Sequence, residues 1–134
     1  MKRIAVLALQ GAFIEHEHML ERLGATCFEI RQLADWAQPK DALVIPGGES
    51  TTQLKLLKEL GLLEPVQQFI AQGGPVFGTC AGLILLSRDV ANEPMARIST
   101  MDTRVCRNAY GRQLGSFHTI APMKSVGDDI PMTF

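Results

Sequence analysis

Gly78-Thr79-Cys80-Ala81-Gly82 has the residue types and spacing of a nucleophile on a sharp turn, a cysteine flanked by glycines two positions away on either side. A thiolate attacks carbonyl carbon, so the chemistry open to Cys80 is acyl transfer through a thioester. Such an elbow needs a strand running in and a helix running out. Pro75-Val76-Phe77 predicts the strand and Ala81 to Ser87 the start of the helix. The turn strains the nucleophile's backbone, and glycine on each side removes the Cβ clashes that would forbid it. The N-terminus of the outgoing helix favours thiolate, and the Ala81 N–H is placed to stabilise an oxyanion. The plainer alternative is a small buried cysteine in a glycine turn.

Pro46-Gly47-Gly48-Glu49-Ser50-Thr51-Thr52 is a second candidate. It lies at the carboxyl end of an expected strand and opens a helix, the position at which α/β sheets bind ligands. Its glycines allow close approach of a ligand, and helix N–H groups suit a carboxylate. A tight turn plus a helix cap fits equally well, because Ser50 caps the helix under both readings. His16 and His18, in Glu15-His16-Glu17-His18, sit two apart on an expected helix and diverge. They are expected on a solvated charged face. His118 stands far along the chain, and spacing alone does not bring it to the elbow. Cys27 and Cys106 are expected to fill core space.

The elements that must position these residues are marked by apolar runs and glycines. Ile4 to Leu9 is a continuous apolar run, as in a strand covered on both faces. A helix follows with Phe13, Leu20 and Leu23 on one face, ending at Gly24. Thr26 to Ile30 and Ala42 to Ile45 predict two more strands. Ser50 with Gln53 predicts a capping box, and Leu54, Leu57 and Leu60 keep helical spacing before Gly61. Glu64-Pro65 opens a helix that buries Val66, Phe69 and Ile70 and closes at Gly73-Gly74. Beyond Asp89 the pattern loosens. Thr103 to Cys106 and Ser116 to Ile120 are candidate strands, and the tail after Met123 shows no clear period. Strands alternating with helices imply a parallel sheet with helices on both faces.

Composition sets the outer limits. The chain has 134 residues, with 13 Lys+Arg against 14 Asp+Glu and a net charge of -1, which suits one globular domain. That balance, with 6% aromatics, gives no electrostatic reason for a nucleic-acid partner. The apolar runs fall far short of the roughly 20 residues that span a bilayer. Met1-Lys2-Arg3 before an apolar run imitates a secretory signal, but the run breaks at Gln10-Gly11 without a cleavage site. Three widely spaced cysteines form neither a disulfide framework nor a zinc pattern, which points to a reducing cytoplasm.

Four segments occur in the order Leu9-Gln10-Gly11-Ala12, Pro46-Gly47-Gly48-Glu49-Ser50-Thr51, Phe77-Gly78-Thr79-Cys80-Ala81-Gly82 and Arg107-Asn108-Ala109-Tyr110-Gly111-Arg112-Gln113. Together they resemble the glutaminase subunit of pyridoxal 5′-phosphate synthase, a class I (triad) glutamine amidotransferase. The elbow is common to many amidotransferases, whereas the GGEST loop and the RNxxGRQ segment are more specific. The resemblance runs from Lys2 to about Phe117. It implies a three-layer, mostly parallel α/β fold of flavodoxin-like type. It implies hydrolysis of L-glutamine to glutamate and ammonia, with no cofactor for that step, and delivery of the ammonia to a synthase subunit. By the same resemblance Cys80 is the nucleophile, Gly48 and Ala81 are oxyanion-hole donors, and Gly48, Glu49, Ser50 and Arg107 contact glutamine.

The family's catalytic His and Glu lie in a Ser-Phe-His-Pro-Glu segment near its C-terminus. In Ser116-Phe117-His118-Thr119-Ile120 the last two residues replace Pro-Glu, and the segment follows RNxxGRQ directly, where the family has a non-catalytic Ser-Phe. His118 is therefore not assigned as the base. The expectation is a single glutaminase domain over residues 1–134, short at its C-terminus relative to the family and without turnover of its own. Two alternatives are a module that docks on the synthase without catalysis and a cysteine hydrolase of unrelated substrate.

Overall fold

The computed structural model describes residues 1–107, 115 and 117–133. In chain order these form β1 (Arg3–Leu7), α1 (Phe13–Arg22), β2 (Thr26–Ile30), α2 (Leu33–Trp36), β3 (Ala42–Ile45), α3 (Ser50–Glu59), α4 (Leu63–Ala71), β4 (Val76–Gly78) and α5 (Ala81–Leu86). The remaining strands are β5 (Ser87–Val90), β6 (Met101–Val105), β7 (His118–Met123) and β8 (Gly127–Thr133).

The main sheet has the order β2-β1-β3-β4 and is parallel throughout, as the alternating pattern implies. The chain moves from β1 to β2 on one side, then crosses back to β3 and β4 on the other. Right-handed crossovers therefore place α1 on one face and α2 to α4 on the opposite face. Side-chain parity agrees. Ala5, Leu7, Leu43 and Ile45 join Leu54 and Leu57 of α3 and Val66 of α4 in one buried cluster. On the other face Ile4, Ala42 and Val44 line a cavity together with Leu20 of α1. Being covered on both faces, these strands carry unbroken apolar runs.

Thr26–Ile30 and Ala42–Ile45 match the expected strands residue for residue, while β1 ends at Leu7 rather than Leu9. Pro65 lies in the first turn of α4, and Gly73 and Gly74 close that helix by donating to Ile70 O and Phe69 O. Other expectations are corrected. Leu23 is 76% exposed, because the inward stripe of α1 runs through Phe13, His16, Glu17 and Leu20 instead. The helix expected to run to Ser87 ends at Leu86, and Ser87 opens β5, which pairs in parallel with β6. The apparently aperiodic tail forms β8, antiparallel to β7. Ser116 and residues 108–113 lie outside the described residues. Among the described residues no helix is long and apolar enough to cross a membrane.

Candidate active site

The order of the sheet fixes where a site can form. β1 sends its crossover one way and β3 sends its crossover the other, so the loops after these two strands diverge at their carboxyl ends. This is the switch point where open α/β sheets hold ligands. Gln10 to Ala12 leave β1 there and Pro46 to Glu49 leave β3. The elbow after β4 lies alongside. The Ala12 N–H donates to Gly47 O at 3.1 Å, and the Glu49 N–H donates to Gln10 Oε1 at 3.0 Å. Gly48 has φ +150°, and a Cβ there would strike the Gln10 side-chain oxygen. Glycine is thus needed where these loops cross.

Cys80 has φ 50° and ψ −109°, the strained conformation expected of a nucleophile elbow, and it is exposed. Two close approaches hold the strain in place. A Cβ on Gly78 would press on the backbone of Gly82, and one on Gly82 would collide with the Ile45 carbonyl. Helix α5 therefore sits directly on β3, and the turn between strand and helix has no slack. The Gly82 N–H donates to Thr79 O at 2.8 Å, and the Thr79 N–H donates to Ile45 O at 3.1 Å. The GGEST loop lies against the thiol-bearing residue: a Cβ added to Gly47 would stand 3.3 Å from the Cys80 Cβ. The two candidate motifs thus meet in space.

Glu49, rather than Ser50, caps α3. It is extended (φ −108°, ψ 115°), and its carboxylate accepts from Thr51 N at 3.2 Å, Thr52 N at 2.7 Å and Thr52 Oγ1 at 2.9 Å. The amide and hydroxyl of Thr52, then the amide of Thr51, hold its pKa down at about 2. Ser50 is buried as the first helical residue. Gln53 does not complete a capping box. Its buried Nε2 donates to Pro46 O at 3.0 Å and to Gly47 O at 3.4 Å, so it supports the loop from below. Arg107 reaches the same loop, with Nη2 3.5 Å from Glu49 Oε1 and Nη1 2.9 Å from Glu93 Oε1.

Two expectations about other side chains fail. His16 is not on a solvated face. Its Nε2 shares a 2.8 Å hydrogen bond with Thr79 Oγ1, and its ring meets Phe77 edge-on at 6.2 Å. The divergence of His16 and His18 is seen, with His16 turned inward and His18 exposed. Cys106 is exposed and Cys27 only half-buried, so neither is a core filler. Burial, and then the charges of Glu21 and Glu17, push the Cys27 thiol pKa up. His118 is exposed on β7, with Nδ1 bonded to Thr133 Oγ1 at 3.1 Å. Sequence reasoning assigns Gln10 and Glu93 no role of their own, although Gln10 lies inside the Leu9–Ala12 motif. It assigns Gln53 a capping role in place of the loop support that it provides.

With this geometry in place, comparison with known proteins decides the family. A profile described as the SNO glutamine amidotransferase family matches residues 6–134. The chain belongs to that family. It is 55% identical over 135 residues to the protein named pyridoxal 5′-phosphate synthase subunit PdxT of Haemophilus influenzae strain PittEE, covering 98% of this chain and 70% of that one. It is 53% identical over 132 residues to the protein of the same name from Desulfitobacterium hafniense strain DSM 10664 / DCB-2, covering 98% of this chain and 66% of that one. A solved structure titled crystal structure of glutamine amidotransferase superposes with a TM-score of 0.84 at 38% identity, covering 98% of this chain and 69% of that one. The chain therefore spans about two thirds of the length of these relatives. The doubly wound sheet described above is the class I amidotransferase, flavodoxin-like architecture.

Proposed function

We propose that residues 1–134 form one glutaminase domain that binds L-glutamine between the elbow and the GGEST loop. Its relatives carry the name of a pyridoxal 5′-phosphate synthase subunit, and the reading extends that role to this chain: ammonia from glutamine passes to a synthase partner. Cys80 is the nucleophile. Its sulfur bonds to the side-chain amide carbon, and the N–H groups of Gly48 and Ala81 hold the oxyanion. The C–N bond then breaks, ammonia leaves with a proton, and water cleaves the thioester to glutamate and free thiol. Gly48, Glu49, Ser50 and Arg107 hold the amino-acid end. The site offers a cation and an anion 3.5 Å apart, Arg107 and Glu49, matched to a zwitterion. Three free thiols fit a cytoplasmic setting. The observation that carries the reading is the close approach of Gly47 to Cys80, where an added Cβ would stand 3.3 Å from the Cys80 Cβ, which brings the cysteine elbow onto a ligand loop.

Those steps also need a general base and a general acid, and no described residue is assigned to either part. Residues 1–134 taken alone are therefore proposed to bind glutamine and supply the nucleophile without completing the cycle. General acid–base catalysis contributes about 10²–10⁴-fold, and groups acting as a unit fail together. His118 is bonded across its hairpin, and His16 is bonded to Thr79. Neither is assigned as the base. Iodoacetamide should label Cys80 before Cys27, whose thiol is harder to ionise, and saturating glutamine should protect Cys80 alone. A lack of protection would sink the glutamine site. Ammonia release should match that of Cys80→Ala, with or without the cognate synthase subunit. Release abolished by Cys80→Ala and by either His16→Ala or His118→Ala would show instead that the polypeptide holds its own base.

A further inference from the structure

Glu93 lies between β5 and β6, outside every motif that carries the family resemblance. Its two carboxylate oxygens hold two different arginines. Oε1 accepts from Arg107 Nη1 at 2.9 Å, and Oε2 accepts from Arg97 Nη2 at 3.0 Å. Arg97 is only 5% exposed, and its guanidinium also donates to Met95 O at 2.9 Å and Glu93 O at 3.0 Å. Its surroundings are tied to two helices. Gln67 Nε2 of α4 donates to Arg97 O and Ile98 O at 3.1 and 3.2 Å, and the Ser99 N–H donates to Leu85 O of α5 at 3.1 Å. Arg97 is therefore a fixed post, and Glu93 is fixed by it.

Arg107 depends on that arrangement. A long, flexible arginine side chain has rotamer entropy to lose, which a preset carboxylate reduces before a ligand arrives. The contact with Glu93 is short at 2.9 Å, whereas the contact with Glu49 is 3.5 Å. An incoming carboxylate can share the looser edge while the tighter one stays held. We propose that Glu93, anchored by buried Arg97, is a positioning residue that sets the Arg107 guanidinium over the Gly48–Ser50 loop to receive the carboxylate of an α-amino acid. The proposal rests on the glutaminase reading above and adds to it a residue acting through Arg107.

Glutamine protection of Cys80 against iodoacetamide, followed by peptide mapping on the full 134-residue chain, tests it. Glu93→Ala should raise the half-protecting glutamine concentration about tenfold, while the labelling rate without glutamine stays within about twofold. Glu93→Gln should fall between, since one amide oxygen can keep one arginine. In an Arg107→Ala background, Glu93→Ala should add nothing. Three results overturn the proposal: an unchanged midpoint in Glu93→Ala, an equal shift in the Arg107→Ala background, or a parallel change in the glutamine-free rate for both Glu93 variants. If glutamine fails to protect the unmutated chain, the glutaminase reading itself falls. Protection of the unmutated chain with no Glu93 effect sinks the positioning role alone.

Discussion

The loops at the carboxyl edge of the main sheet and the β7–β8 hairpin both lie outside the regular helix and strand pattern of the main sheet, but the fold treats them in opposite ways. The edge loops are tied to one another through Ala12 to Gly47, Glu49 to Gln10 and Thr79 to Ile45, and they stand on strands buried from both faces. The hairpin pairs with itself and leaves Ile120 62%, Met123 45% and Val126 65% exposed. Irregular backbone is thus no guide to rigidity. What counts is whether close contacts with a buried strand leave room for movement. A nucleophile can be held at a strained φ in the first setting, because its neighbours over-determine the turn. The second setting offers no such constraint, and a two-stranded hairpin alone is marginal in water.

The largest expected effect lies at Gly82. Alanine in its place raises helix propensity by about 0.8–1 kcal/mol, which by itself would stabilise α5. The added Cβ, however, meets the Ile45 carbonyl, a backbone atom inside a central strand that cannot step aside. Overpacking of this kind costs about 1–3 kcal/mol or more, so the clash outweighs the propensity gain. Gly82→Ala should lower stability by about 2 kcal/mol in urea denaturation and slow the labelling of Cys80. A neutral or stabilising result would mean that α5 can lift off β3 without cost, and the contrast between the two regions would lose its basis.

The sequence showed the first region far better than the second, for physical reasons. Ala42–Ile45 stands out because a strand buried on both faces carries an unbroken apolar run. Thr26–Ile30, an edge strand with Glu29 inside it and only Ile30 buried, reads instead as a short β-forming segment after Gly24. The elbow stood out because its glycines answer to backbone contacts made within a few residues or on the neighbouring strand. The cap of α3 was misplaced by one residue because Ser50 suits that position by type, while Glu49 reaches two amides and a hydroxyl with its longer side chain. His16 looked solvated because the inward stripe of α1 is set by what the sheet and elbow place beneath it. Glu93 left no trace, since an ion pair across two loops has no period. In β8, Asp128, Asp129 and Pro131 hide the strand, as proline suits only an edge or an unpaired N–H.

A middle-sized effect belongs to Glu49, in the tied region but on its surface. Removing an N-cap costs about 1 kcal/mol, and with the side chain 48% exposed the charge contribution is screened. Glu49→Ala should therefore destabilise the chain by about 1 kcal/mol at pH 7. The pH dependence has a definite sign. The carboxyl titrates at about 2 in the folded chain, below its ordinary value of 4.5, so its contribution is complete above the unfolded pKa. That contribution is lost as pH falls from about 4.5 toward 2. Thermal melts of Glu49→Ala and the unmutated chain should converge over that interval. A gap that stays constant down to pH 2 would show that the stabilisation does not depend on the charge.

The smallest effect is expected in the hairpin. Ile120 is 62% exposed, and its backbone partner across the strands is Pro131. Replacing it with threonine keeps the β-branch that suits a pleated strand and removes an apolar surface that gains little from burial where it stands. Surface changes away from caps, charges and cavities usually fall within ±0.5 kcal/mol. Ile120→Thr should therefore leave the urea midpoint nearly unchanged, and the rate of Cys80 labelling should not move at all. A loss of more than about 1 kcal/mol would require that Ile120 be covered in solution. A slower Cys80 reaction in the same variant would go further, because it would couple the hairpin to the elbow and remove the mechanical independence of the two regions.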